Sequence, residues 1–155
     1  MGSIRLDIQN QIVAILQTIT KDNKYNNDVR LVTRRMINPR DITSYPVLCV
    51  IPGPSRKRTI DESMKLYEVT LVFGIVGYVQ AMNDPNREGL LSDAAQNLIE
   101  DIEDALLADT TMTDQADSEA QFVVVANEEP WLDYDKNIAE VDVGIAVQYT
   151  HDVTV

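Results

Sequence analysis

The stretch "LYEVTLVFGIVGYVQ", Leu66–Gln80, decides the fold class. Its first residues alternate around Glu68 and Thr70, and from Leu71 onward it is apolar throughout. Rich in β-branched and aromatic residues, it reads as the longest strand of the chain. Gly74 and Gly77 inside it are expected to mark a bulge or a close backbone approach.

Before it, Pro46 introduces a second strand, Val47–Ile51. Its unbroken apolar character predicts burial on both faces. Between the two strands lies "IPGPSRKRTIDESMK", Ile51–Lys65, which reads as an exposed basic loop. Further upstream a modest strand over 29–36, carrying Arg30, Arg34 and Arg35, ends at Asn38-Pro39-Arg40-Asp41. Ser3 is a suitable N-cap for an opening helix. There Ile4, Ile8, Ile12, Ile15, Leu16 and Ile19 recur at three- and four-residue steps, until polar residues 21–27 end the helix.

After Gln80, Asn83-Asp84-Pro85 signals a helix start, with Asp84 as N-cap and Pro85 at the first helical position. Leu90, Leu91, Ala95, Leu98, Ile102 and Leu106 continue an apolar stripe to about residue 108. Residues 109–120 are acidic, small and aperiodic, and are expected to form an exposed loop. Phe122–Ala126 reads as a short strand, interrupted at Glu128-Glu129-Pro130-Trp131-Leu132. The chain closes in a strand with Val141, Val143, Ile145, Val147 and Tyr149 on one face, and Asp142, Gly144, Ala146 and Gln148 on the other. The expected order is α-β-β-β-α-β-β, an α+β domain with two amphipathic helices on one face of a mainly antiparallel sheet. No internal repeat and no dividing linker is visible. Residues 1–155 are expected to form a single α+β domain with an extended β-hairpin loop or arm at about 52–65, long enough to bury a core without disulfides.

Cys49, the single cysteine, lies within the apolar run 47–51 and reads as a buried, reduced thiol of a cytosolic protein. Met1-Gly2-Ser3-Ile4-Arg5 offers no apolar signal region, Leu6 stands where myristoylation wants Ser or Thr, and no apolar run is long enough to span a bilayer. Charge is unevenly distributed. Residues 1–80 hold eleven Lys/Arg and seven Asp/Glu, a net of +4, whereas residues 81–155 hold two and eighteen, a net of -16. Besides aiding solubility, a subunit with unlike sides suits head-to-tail association.

No catalytic constellation emerges. Asp133-Tyr134-Asp135-Lys136-Asn137 begins like a calcium loop, but Ile138 stands where the sharp turn needs Gly and Gly144 where the bidentate Glu belongs. It reads as an acidic turn. Glu100, Asp101, Glu103 and Asp104 cluster on the second helix without a histidine beside them, and are expected to form a solvated or partner-facing acidic surface. His151, the only histidine, sits next to Asp152 with no nucleophile motif elsewhere, and Gly74-Ile75-Val76-Gly77 lacks the Lys-Ser/Thr of a phosphate loop. Trp131 serves as a core edge or as an interface anchor. No enzyme activity, cofactor or metal is expected.

The basic segment admits three readings: a solvated hairpin tip, a local contact to nucleic acid without sequence preference, or an arm reaching an acidic surface on a neighbouring copy. The order of elements resembles the tail terminator (tail completion) proteins of long-tailed bacteriophages. The resemblance rests on "IRLDIQNQIVAILQTI", on "YPVLCVIPGP" followed by "KLYEVTLVFGIVGYV", on "DPNREGLLSDAAQNLIEDIEDALL" and on "AEVDVGIAVQYTHD". It implies a structural virion protein assembled in the host cytoplasm as a ring, usually a hexamer. Such a ring caps the head-proximal end of the tail tube, stops its polymerisation and offers a surface to the head or neck. Its partners would be further copies of itself, the tail tube protein and a head-tail connector. DNA would pass through the lumen unbound. Segment 52–65 would then be an arm, with Arg56, Lys57, Arg58 and Lys65 docking on Glu100, Asp101, Glu103 and Asp104 of a neighbour. The alternatives are a head-tail connector or neck protein and, from another class, a small nucleic-acid- or ligand-binding domain.

Overall fold

The computed structural model describes residues 3–81, 89–108, 121–127 and 129–152, with side chains left aside at 121–127 and 152. The expected helix start at Asp84-Pro85 and the expected loop 109–120 lie outside these residues. The architecture is α+β: an open, largely antiparallel sheet with two helices on one face.

Helix α1 spans Ile4–Leu16, and the Ser3 side chain accepts a hydrogen bond from the Leu6 N–H. The cap thus sits where the sequence places it, satisfying one of the donors a helix start leaves open. Ile8, Ile12 and Leu16 are buried and hold α1 against the sheet. Strand β1 is short, Leu31–Thr33, and runs parallel to β2, Val47–Pro52. The strand expected over 29–36 is shorter than its pattern because Met36, Arg34 and Arg35 stay exposed and Asn38 opens a 3₁₀ turn at Pro39–Asp41. Val47, Leu48, Cys49 and Val50 are all buried, as an unbroken apolar run requires.

Within the expected hairpin arm, part of the basic segment is itself strand. Arg56–Asp61 is a strand, β3, paired antiparallel with the first residues of β4, Leu66–Gln80. The reason lies in the length of β4. Strand β2 covers only Phe73–Tyr78 of its edge, leaving the backbone of residues 66–70 to be satisfied by another strand. Helix α2 is described over Leu90–Ala108. Strand β5, Gln121–Asn127, and a further short strand, β6, Trp131–Asp133, then share one edge of β7, Ile138–Asp152. The sheet order is β1-β2-β4-β7-β5, with β3 beside β4 and β6 beside β7. Two strands were therefore missing from the order expected from sequence.

The topology also shows an internal structural repeat. Strands β2 and β3 share one edge of β4 as β5 and β6 share one edge of β7, and a helix precedes each set. Strands β4 and β7 pair antiparallel along all fifteen residues, Leu66 with Asp152 at one end and Gln80 with Ile138 at the other. Leu66 and Ile138 are equivalent, 138 − 66 = 72, as are Gln80 and Asp152, 152 − 80 = 72. An approximate two-fold axis therefore passes through the paired residues Phe73 and Ile145.

The core fills the space between sheet and helices. From α1 it takes Ile8, Ile12 and Leu16; from α2, Leu98, Ile102 and Leu106; from β4 and β7, the alternate residues through Ile75 and Ile145. Gly77 permits that packing: a Cβ there would meet Val141 Cγ2 at 2.8 Å, Leu48 Cδ2 at 2.9 Å and Leu98 Cδ2 at 3.0 Å. The close approach expected at Gly77 is thus present. Gly74 faces the other side, with only the Ile51 carbonyl oxygen at 4.0 Å, and no register shift occurs there. On that face Val47, Cys49 and Tyr78 form a small second cluster beneath Ile37, Ile42 and Tyr45. Val72, Gly74, Gly144 and Ala146 remain half-exposed. No described helix is long and apolar enough to cross a membrane.

Candidate functional site

The helix-free face of the sheet presents two hairpins of the same build at opposite ends. In the first, Asp61 Oδ1 accepts from the Ser63 N–H at 3.0 Å, the Ser63 hydroxyl at 2.7 Å and the Met64 N–H at 3.3 Å. Lys65 closes that turn at φ 50°. In the second, Asp133 Oδ1 accepts from the Asp135 N–H at 3.1 Å and the Lys136 N–H at 3.3 Å, and Asn137 closes the turn at φ 55°. The aspartate side chain satisfies the turn amides in both, and one residue takes the left-handed conformation needed to re-enter the sheet. The Ser63 hydroxyl, followed by the Met64 amide, holds the Asp61 carboxyl below its ordinary value. With its carboxylate committed to the turn, Asp133 opens a hairpin rather than a calcium loop.

The first hairpin carries the basic strand. Arg56 pairs with Thr70 and Arg58 with Glu68, on the helix-free face, while Lys57 pairs with the core residue Val69 and so lies on the other face. Arg58 Nη2 lies 3.4 Å from Glu68 Oε1, with the arginine side chain 75% exposed. Such a pair adds little to stability and leaves the guanidinium open to solvent. Lys57 Nζ sits 4.4 Å above the Tyr67 ring, a cation–π contact that fixes its direction. Arg5 Nη1 donates to Ser55 Oγ at 3.1 Å, and the Gly53 N–H to the Val72 carbonyl at 2.7 Å, anchoring the base of the arm. Ile60 and Met64 are exposed at its tip, 48% and 61%.

The second hairpin is acidic and aromatic. Trp131 pairs with Glu140, so both share the helix-free face with Asp142 and the opening residue Asp133. Trp131 is 61% exposed and Tyr134 69%. Partial burial, and then the neighbouring Asp142, push the Glu140 carboxyl above its ordinary value. Burial, with Glu140 as the next cause, pushes the Tyr78 hydroxyl up to about 12.

The acidic helix surface comes out smaller than the sequence suggests. Glu100 and Asp104 are exposed and Glu103 half-buried, but Asp101 is 1% exposed. Its Oδ1 accepts from the Asn26 N–H and Nδ2, each at 2.9 Å, and its Oδ2 from Asn27 Nδ2 at 2.9 Å. Asp101 therefore ties α2 to the segment after α1 and cannot receive an arm from another molecule. Helix α2 packs on β7, β4, β5 and α1, whereas β3 packs on β4, and no extensive packing joins the basic strand to the acidic helix within the chain. Among the described residues no group of His, Cys, Asp and Glu could hold a metal ion. His151 pairs with Tyr67 on β4 and its ring lies 6.4 Å from that of Tyr149.

Sequence reasoning found the cations and missed their context: the strand, the apolar tip and the matching second hairpin. A signal was present. "IDESMKLYEV" and "LDYDKNIAEV" share an apolar residue, Asp, four turn residues, a second apolar residue and, after one unmatched position (Tyr67 or Ala139), a Glu-Val pair, with Asp61 and Asp133 seventy-two positions apart.

No family model and no curated protein matches the chain. Among solved structures, the sheath/tube terminator of an extracellular contractile injection system (PVC) in its extended state is similar, with a TM-score of 0.55 at 12% identity. The two chains share a fold. The match covers 99% of this chain and 57% of that one, so the present chain spans little more than half of that terminator.

Proposed function

We propose that this chain is a structural subunit that ends a tail-like tube. The observation that carries the reading is the fold likeness to a sheath/tube terminator over 99% of the chain. In this reading copies of the chain form a ring, a homohexamer as the resemblance to phage tail terminators implies. The ring caps the head-proximal end of the tube, stops its growth and presents a surface to a neck or connector component. The protein belongs to the virion tail or to a related injection machine, and DNA passes through the ring lumen without being gripped. The excess of carboxylates in the chain, net charge -12, suits a channel that repels the phosphate backbone. Arg56, Lys57, Arg58 and Lys65 supply an arm that contacts a neighbouring subunit or the tube.

Size-exclusion chromatography with light scattering, at low and high salt, tests the ring. A discrete oligomer that salt dissociates is expected. Adding purified tubes that are still growing tests the cap: growth should stop at sub-stoichiometric protein, with the protein seen at one tube end by electron microscopy. Unaltered growth with the protein unbound removes the terminator reading. Binding to the portal side alone would identify a connector.

A further inference from the structure

We infer that successive copies join head to tail through the helix-free face of the sheet, the basic hairpin of one copy seating on the acidic, aromatic hairpin of the next. The inference rests on the ring reading and names its interface. Three observations converge on it. First, the two hairpins lie at opposite ends of strands β4 and β7, fifteen residues long. At about 3.3 Å per residue that separation is roughly 45 Å, so within one molecule they cannot meet. Any contact between them joins different copies.

Second, both present their groups on the same face, with opposite charge. Arg56 and Arg58 project from it at one end, and Asp133, Glu140 and Asp142 share it at the other. Residues 56–68 carry four cations and three carboxylates, a net of +1, with the cations gathered at 56–58 and Lys65. Residues 129–142 carry five carboxylates and one lysine, a net of -4. Pairing like ends would set cation on cation or carboxylate on carboxylate, and only the unlike pairing is favoured.

Third, each charged rim encloses an exposed apolar anchor. Ile60 and Met64 stand out at the basic tip, Trp131 and Tyr134 at the acidic one, each between 48% and 69% exposed. A thioether against an aromatic ring and a guanidinium over an indole are both favourable contacts. Aromatic residues, Met and Arg are also the types enriched at protein interfaces. Between the two ends, the paired Gly74 and Gly144 and their neighbours Val72 and Ala146 leave a strip of small, half-exposed residues along the centre of the face, beside the segment carrying Ile37, Ile42 and Tyr45 that covers Val47, Cys49 and Tyr78. Made once, the contact leaves one basic and one acidic hairpin free, and repeating it closes a ring when the rotation per step divides a full turn. Made twice across a two-fold axis it closes a dimer, which the mass of the oligomer distinguishes. The near two-fold relation of the hairpins makes their turns alike, while their side chains make them complementary.

Charge exchange tests the pairing. The variant R56E/R58E and the variant D135K/E140K should each weaken self-association about tenfold or more, and the fourfold variant should restore it. Asp133 is left in place because it caps its turn. Circular dichroism and melting temperature of each variant, matched to the parent, show that the fold is intact. Independently, cysteines at Met64 and Tyr134 should cross-link into covalent oligomers under mild oxidation, with native Cys49 buried and silent. Cysteines at Met64 and Asp104 should not. A fourfold variant weaker than either parent pair overturns the inference. Cross-linking through Asp104 instead would also overturn it, placing the arm on α2 while leaving the ring reading intact. A parent protein that is monomeric at every concentration and salt, with and without tubes, removes both.

Discussion

Asp101 on α2 accepts hydrogen bonds from both the backbone and the side-chain nitrogen of Asn26, seventy-five positions away, each at 2.9 Å. Asn27 Nδ2 reaches the other carboxylate oxygen at the same distance. A carboxylate that looks from sequence like one of four surface acids is thus the link between the second helix and the turn after the first. Asp101→Ala should strip partly buried donors of their acceptor and destabilise the monomer by about 2–3 kcal/mol. Glu100→Ala, an exposed neighbour, should change stability by less than about 0.5 kcal/mol. Urea unfolding followed by circular dichroism separates the two, and equal effects would contradict the assignment.

The two glycines of β4 should respond in opposite ways. Gly77→Ala places a methyl group within 3.0 Å of Val141, Leu48 and Leu98, and overpacking of this kind costs about 1–3 kcal/mol. Gly74→Ala meets nothing nearer than the Ile51 oxygen at 4.0 Å and should leave the monomer within about 0.5 kcal/mol of its parent. Thermal melts of the two variants test this directly. The Gly74 variant also probes whether the central strip of the face must stay small for self-association.

Glu140 carries a pH signature. Its carboxyl lies above its ordinary value of 4.5, through partial burial first and Asp142 second, so the folded state holds its proton more tightly than the unfolded chain does. Stability from this group is therefore complete at acid pH and is lost as pH rises from 4.5 through the folded value. Glu140→Gln abolishes the loss. The melting temperature of the variant relative to the parent should climb as pH rises from 4.5 through the folded value. A relative melting temperature that falls over this range would reverse the sign and refute the argument.

Arg58 distinguishes stability from assembly. Its pair with Glu68 is open to solvent, and Arg58→Ala should cost the monomer no more than about 1 kcal/mol. In an assembly held by unlike charges the same change should weaken association and flatten its dependence on salt. Sedimentation equilibrium at two ionic strengths reads both. An unchanged association constant would mean that the arm cations face solvent in the oligomer.

The sequence by itself determined the elements whose signal is local. Ser3 and the isoleucine steps define α1, the leucine-alanine stripe defines α2, and the alternation from Val141 to Tyr149 settles which face of β7 is buried. These patterns follow from helix and strand periodicity, which is set within a few residues. The cations of the candidate arm and the acidic turn were legible in the same way. Only the tertiary structure decided what depends on partners distant in the chain. Arg56–Asp61 has no strand pattern and becomes a strand because β4 outlasts β2 and leaves an edge to be filled. Asp101 becomes an internal acceptor because α2 crosses Asn26 and Asn27. The repeat emerges because β4 and β7 pair over their full length, although their sequences differ at most positions. Unsatisfied backbone donors and buried polar groups must find partners somewhere, and only the closed fold shows where.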